Sequence, residues 1–240
     1  MPSFTHMYTF INTHPESYCR WWATARREFF LMALGVPFLV ADLGAPPAPV
    51  IFASDAMGET VADHGGHGLV GVPAGRDLFE RTLQMSRAVR MTVVRLDGGL
   101  SGLKRPEKRI TPTIPFSRIP QELFDTSVCV WSDLDAGRWK WPDHITLGES
   151  RAVVRLLDLL LWIPSFFRRF VISLQDNRPT SGSMMKGRSP SLALNFLLRK
   201  KTARCLASSI KLFLPWVESL KMPADSLPRD VIQGPLGPIH

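Results

Sequence analysis

Cysteine is scarce. The 240 residues hold three, Cys19, Cys129 and Cys205, far apart and odd in number. They supply neither a disulfide framework nor a zinc knuckle, and a reducing compartment is their natural setting. Long hydrophobic runs are also missing. The nearest approaches are FFLMALGVPFLV, broken by Pro37, and LLDLLLWIPSFF, interrupted by Asp158 and Pro164. Both fall short of the roughly 18 apolar residues of a membrane span. No basic stretch followed by an apolar one opens the chain, so no secretory signal is expected. Internal repeats and low-complexity tracts are lacking too. These absences place the expected site of action inside the cell, cytoplasmic or nuclear, and away from membranes.

What is present describes a folded and lopsidedly charged protein. Hydrophobic residues make up 45% and charged residues 21%, enough to bury a core and too apolar for disorder. Twenty prolines and 17 glycines imply many loops. The net charge of +8 is uneven: residues 151–240 carry 14 Lys and Arg against 5 Asp and Glu, and residues 1–150 carry 15 against 16. A basic half suits an acidic partner, of which a nucleic-acid backbone is the commonest. A solvated basic surface is the plainer reading of the same charge.

Periodicity sketches the elements. Residues 15–43 read as a helix, and the APPAP stretch at 45–49 is a stiff exit from it. VIFAS is a buried strand, and DHGGHGLVGV a glycine turn with a second strand. Residues 75–126 read as an insertion, with a possible helix at DLFERTLQMS and a possible strand at RMTVVRL. A third strand is expected at SVCVW (127–131). The clearest helix starts near 147. FVISL, a helix at 189–208, and the strand IKLFLPWV follow. This order predicts an α/β domain whose site lies beyond the carboxyl ends of its strands.

Four carboxylates stand out against that sketch. Asp55 closes the run VIFASD and Asp176 closes RFVISLQD, while Asp225 sits in a late loop. Glu149 precedes Val153, Leu156, Leu157 and Leu160 at helical spacing, on the apolar stripe. A carboxylate on a buried face is costly without compensation. Strand-Asp, helix-Glu, strand-Asp, late-Asp is the layout of a site that holds two magnesium ions to cut a phosphodiester. Singly, each residue has a plainer role, as turn, cap or helix first-turn carboxylate. His64 and His67 belong with the glycine turn, because no further ligand lies at a convincing spacing. His144 reads as a cap or orienting residue at the helix start, and Trp216 as core.

The motifs resemble those of the ribonuclease H domain of retroelement (retrotransposon) reverse transcriptases. SDAM at 54–57, HITLGE at 144–149, DN at 176–177, KGRS at 186–189 and MPAD at 222–225 occur in the family's order. The helix and its ADLGAPPAP exit are similar to the segment that joins polymerase to ribonuclease H. The resemblance covers roughly residues 20–230. Three features depart from it. Met222 stands where the family has asparagine, and Leu227-Pro228-Arg229 replaces the closing Ser-Arg. The Asp55-to-Glu149 spacing of 94 residues exceeds what two strands need. No polymerase YxDD-type motif occurs, which reads as a piece of a longer polyprotein.

The resemblance implies a ribonuclease H-like mixed sheet flanked by helices. A short helical connector would occupy 1–46, the ribonuclease H-like domain 47–232 with its insertion at 75–126, and a flexible tail 233–240. It implies an endonuclease that hydrolyses the RNA strand of RNA–DNA hybrids, with two Mg2+ ions, Mn2+ as substitute, and no small-molecule cofactor. Asp55 would bridge both ions, Glu149 and Asp176 would each serve mainly one, and Asp225 would complete the second site and help product leave. Lys186 and Arg188, in a glycine- and serine-rich loop, are expected phosphate contacts. Asn177, Arg199 and Lys200 join them as nucleic-acid-binding residues, and Arg204 is a weaker one. A polymerase domain is the expected protein partner. The alternative is a catalytically inactive remnant that at most binds nucleic acid. A connection-type structural domain is disfavoured, since it has no reason to keep four carboxylates.

Overall fold

The computed structural model describes residues 5–13, 19–35, 44–58, 64–87 and 119–233. In chain order these form α1 (Thr5–Thr13), α2 (Ala23–Gly35), β1 (Val50–Met57), β2 (Gly66–Pro73), α3 (Arg76–Arg87), β3 (Ser132–Arg138) and α4 (Ile145–Leu161). Then come β4 (Phe170–Leu174), α5 (Arg178–Lys186), α6 (Leu192–Ser208), β5 (Lys211–Phe213) and α7 (Ser226–Gln233). The five strands make one mixed sheet in the order β3-β2-β1-β4-β5. β1, β2 and β3 pair antiparallel, while β4 runs parallel to both β1 and β5. With helices flanking it, this is the ribonuclease H-like α/β architecture expected from the motifs.

β1 lies in the middle of the sheet, and its apolar residues Ile51, Phe52 and Ala53 are buried. α4 forms where the stripe predicts. Its residues Val153, Leu156, Leu157 and Leu160 are all buried in the core shared with β1, β4 and α6. Each such side chain contributes about 1.5–3 kcal/mol of hydrophobic stabilisation. α4 packs against β1, β2 and α6, while α7 packs against β2 and β3.

Several expectations need correction. The third strand is Ser132–Arg138, not 127–131. Of the SVCVW residues, Cys129 is buried while Val128 and Val130 face solvent. β3 is an edge strand paired with β2, and an edge facing water accommodates the polar sequence SDLDAGR. The last strand shortens to Lys211–Phe213, with an isolated bridge from Trp216 to Gln175 beyond it. Of the helix read over 15–43, Ala23–Gly35 is helical as α2 and residues 19–22 are irregular, while α1 lies ahead of it. DLFERTLQMS is helical, as α3. The possible strand RMTVVRL lies outside the described residues. Among the described residues, no helix is long and apolar enough to cross a membrane.

Candidate metal centre

Strand register brings the first two carboxylates together. β1 and β4 run parallel with Ala53 opposite Leu174. Asp55 and Asp176 each lie two residues further on, so the two-residue period puts them side by side on one face. A polar seam fixes the strand ends next to them. The buried amide of Gln175 donates through Nε2 to the main-chain oxygens of Ser54 (3.1 Å) and Leu174 (2.8 Å). The hydroxyls of Ser54 and Ser173 meet at 3.3 Å.

Glu149 comes from the second turn of α4. His144 caps that helix, its Nδ1 accepting from the Thr146 N–H at 3.2 Å, as the sequence suggested. Gly148 faces β1, where a Cβ would make ordinary contact with Ala56 Cβ at 3.4 Å. Carboxylate oxygens of Asp55, Glu149 and Asp176 lie within 4.8 Å of one another. The sequence separates these residues widely, and the fold gathers them.

The electrostatics of the group are those of buried carboxylates crowded together. Burial, then the neighbouring Asp176 charge, pushes Asp55 up to about 7. Burial, then the charges of Asp55 and Asp176, pushes Glu149 up to about 10. Clustered carboxylates cannot all ionise without a compensating charge, so both are held above the ordinary carboxylate range. Glu149 is 2% exposed, and its Oε2 is buried without a hydrogen-bond partner. A buried, unsatisfied carboxylate oxygen facing two further carboxylates fits a hard divalent cation.

Asp225 belongs to the surroundings of this group and not to its tight centre. It adds to the negative field on Asp55, but its carboxylate is engaged by Arg229 at 2.7 Å, one helical turn on. It immediately precedes α7, whose seat is a bare stretch of β2. A Cβ at Gly68 would lie 2.6 Å from Leu227 Cβ and 2.8 Å from Pro228 Cδ.

The histidines stay out of the group. His67 is buried within β2, stacked on Trp139 at 4.5 Å, with Nε2 3.0 Å from Asp135. Asp135 in turn receives Arg155 Nε at 2.7 Å. His64 is exposed ahead of β2.

The basic candidates divide. Lys186 and Arg188 are exposed, but the loop placed there is helical up to Lys186. α5 ends at Lys186, and Gly187, with φ 70°, caps it. Asn177 also has a structural task, its side chain accepting from the Thr180 N–H at 3.0 Å as the cap of α5. Arg199 and Lys200 are exposed on α6, with Lys200 Nζ 4.7 Å from the Phe196 ring centroid. Arg204 is held by both carboxylate oxygens of Asp158, so it is an internal ion-pair partner. Trp216 is not plain core. It is half-buried, and its indole N–H donates to the main-chain oxygen of Asp176 at 2.6 Å. Arg178 lies over its ring at 4.0 Å.

Protein-family models give no match to the chain, and curated proteins give none. Solved structures do. The N-terminal ribonuclease H domain of a Mycobacterium tuberculosis protein, fused to maltose-binding protein, is 16% identical with a TM-score of 0.40, over 76% of this chain and 92% of that one. LC11-RNase H1, isolated from compost by a metagenomic approach, is 12% identical with a TM-score of 0.44, over 76% and 94%. The prototype foamy virus protease–reverse transcriptase is 11% identical with a TM-score of 0.39, over 78% of this chain and 21% of that one. All three are likenesses at low identity with TM-scores below 0.5.

Proposed function

We propose that this chain is a divalent-metal-dependent endonuclease that hydrolyses the RNA strand of RNA–DNA hybrids, as part of a retroelement reverse transcriptase. The observation that carries the reading is the convergence of Asp55, Glu149 and Asp176 within 4.8 Å, with an unsatisfied buried oxygen on Glu149. These three residues would hold the metal, and Asp225 would complete the set on leaving Arg229. When bound, two magnesium ions supply a nucleophilic water and neutralise charge at the phosphate.

The protein's own part is preparation. Asp55 and Glu149, raised by burial and by their neighbours' charge, would give up their protons to become ligands. The Gln175–Ser54 seam and the cap at His144 hold both ligand-bearing segments in place, so little reorganisation is needed. Lys186, Arg188, Arg199 and Lys200 are exposed cations that would follow the phosphate backbone, and the wide minor groove of a hybrid displays the 2′-hydroxyls that mark its RNA strand. A hybrid of this kind places the work inside the cell, beside a polymerase domain.

The test is cleavage of an end-labelled RNA–DNA hybrid by purified protein with magnesium or manganese. Duplex DNA and single-stranded RNA run alongside, with Asp176→Asn as the contamination control. Hybrid-only cutting that vanishes in the variant is expected. A folded protein that leaves the hybrid intact, alone and with a polymerase domain added in trans, would overturn the enzymatic reading in favour of an inactive nucleic-acid-binding remnant.

A further inference from the structure

Exposed and strained residues gather at the end of the fold opposite the carboxylates. Glu149 lies in the second turn of α4, and Trp162 caps the other end of that helix, about 20 Å away at 1.5 Å per residue. Trp162 is 86% exposed, and Ile163 and Phe167, close to it in the chain, are exposed as well. Arg168 and Ser209 are the two non-glycine residues with positive φ among the described residues, at 59° and 55°. They stand side by side, because the Arg168 N–H donates to the carbonyl of Ser208 at 2.9 Å. Left-handed backbone at a residue other than glycine is strained, and such strain clusters at working surfaces.

The charge at this pole is unbalanced. Asp158, one turn before Trp162, gives both carboxylate oxygens to Arg204. Arg169 directs its donors to the main-chain oxygens of Ser165 and Pro47, and no described carboxylate meets its charge. Arg168 is exposed, and its guanidinium makes no ion pair or hydrogen bond with a described residue. A glycine would make the same left-handed turn without strain. The arginine instead sets a cation beside bulky apolar side chains, the composition found at the energetic centre of protein interfaces. Two guanidinium groups are too few to hold an anionic membrane. Branched Ile163 offers no flat face for a base to stack on. A second copy across a twofold axis would bring Arg168 towards its own counterpart, like charge against like.

We propose that the pole formed by Trp162, Ile163, Phe167 and Arg168 docks a segment of a partner protein in which an apolar or aromatic anchor is flanked by Asp or Glu. The apolar side chains cover the anchor, and Arg168 takes a carboxylate through its planar fork. Docking at the far end of α4 leaves the carboxylate group open, so it is independent of the nuclease reading.

The experiment selects a random displayed-peptide library on the immobilised full chain and measures the enriched peptides by fluorescence anisotropy. Enriched sequences should join an aromatic or aliphatic residue to Asp or Glu, and their binding should weaken with salt. Trp162→Ser and Arg168→Gly should each weaken binding about tenfold or more. Arg168→Gly removes the side chain while suiting the left-handed backbone, so its thermal midpoint should match or exceed that of wild type, which separates lost docking from lost folding. Arg168→Lys should retain part of the affinity, since the charge remains without the fork. A library that enriches nothing, or only peptides without acidic residues, overturns the proposal. Equal peptide binding by Arg168→Gly and wild type overturns it too. Dimers of wild type in sedimentation velocity that Trp162→Ser abolishes would make a second copy the occupant. RNA–DNA hybrid binding weakened by Arg168→Gly would make it nucleic acid. Either result overturns the acidic segment.

Discussion

Asp55 stands opposite Gly68 in the β1–β2 ladder, so the strand position facing a candidate metal ligand carries no side chain. α7 occupies the space, with Leu227 and Pro228 pressed against the bare backbone. Asp225 is the residue immediately before that helix. The fourth carboxylate therefore depends on a glycine in a neighbouring strand.

Gly68→Ala should act on both stability and activity. The added methyl group overpacks the α7 seat and should cost about 1–3 kcal/mol in urea unfolding, with hybrid cleavage reduced as α7 shifts. Gly75→Ala is the control, since nothing lies within 4 Å of a Cβ there, and its unfolding midpoint should match wild type within error. Equal midpoints for Gly68→Ala and wild type would show that α7 does not rest on this strand.

The four carboxylates should not be equal. Asp176→Asn removes a member of the tight group and should lower hybrid cleavage more than about 100-fold, while Asp225→Asn should cost nearer tenfold. The reason is that Asp225 is already engaged by Arg229 and lies outside the three-residue group. A loss in Asp225→Asn as deep as in Asp176→Asn would place Asp225 at the centre of the site.

The raised carboxyl groups of Asp55 and Glu149 should give the metal-free protein a distinct pH signature. Both groups are raised in the folded state, Asp55 to about 7 and Glu149 to about 10. The native state therefore holds protons that the unfolded state has released. Stability from these groups is complete below about pH 4 and is lost as pH rises through 7 and on towards 10. Without divalent metal, thermal midpoints should fall between pH 5 and 9. Magnesium should flatten that fall, and Glu149→Gln should flatten it without magnesium. A midpoint equally pH-dependent in Glu149→Gln and wild type would rule out a raised Glu149 as its cause.

Lys186→Ala with Arg188→Ala should lower the salt dependence of hybrid binding by about 1.5–2 units of log–log slope, with far-UV circular dichroism unchanged. Both side chains are exposed at the end of α5. An unchanged slope would remove this end of α5 from the phosphate track.

Most of the carboxylate layout was legible because it depends on local rules. The end of a buried strand, the apolar stripe of a helix and the order of short motifs all leave marks within a few residues. Glu149 was recognisable from its spacing to Val153 and Leu156, and the structure buries it accordingly. What escaped was set by neighbours distant in sequence. β3 was misplaced because an edge strand has no apolar alternation, while the valines that do alternate at 128 and 130 turn to solvent. α5 went unread because its sequence RPTSGSMMK has weak helix formers. It forms on an Asn177 cap and a contact from Thr180 Oγ1 to the Thr146 carbonyl on α4, at 3.3 Å. The pairing of Arg178 with Trp216 joins two segments whose proximity only the β4–β5 register reveals, and no periodicity announces it.

The chain order of the carboxylates has a consequence for the time before folding is complete. At about 5–20 residues per second, a ribosome releases Asp55 on the order of ten seconds before Asp225. Throughout that interval Gly68 has no α7 to seat, and for most of it β1 has no parallel neighbour in β4. A nascent chain thus holds members of the carboxylate group without the group itself. A chain assembled in this sequence brings Asp225 to the other three carboxylates only once it has left the ribosome, and the proposed nuclease would be inert towards nucleic acid until then.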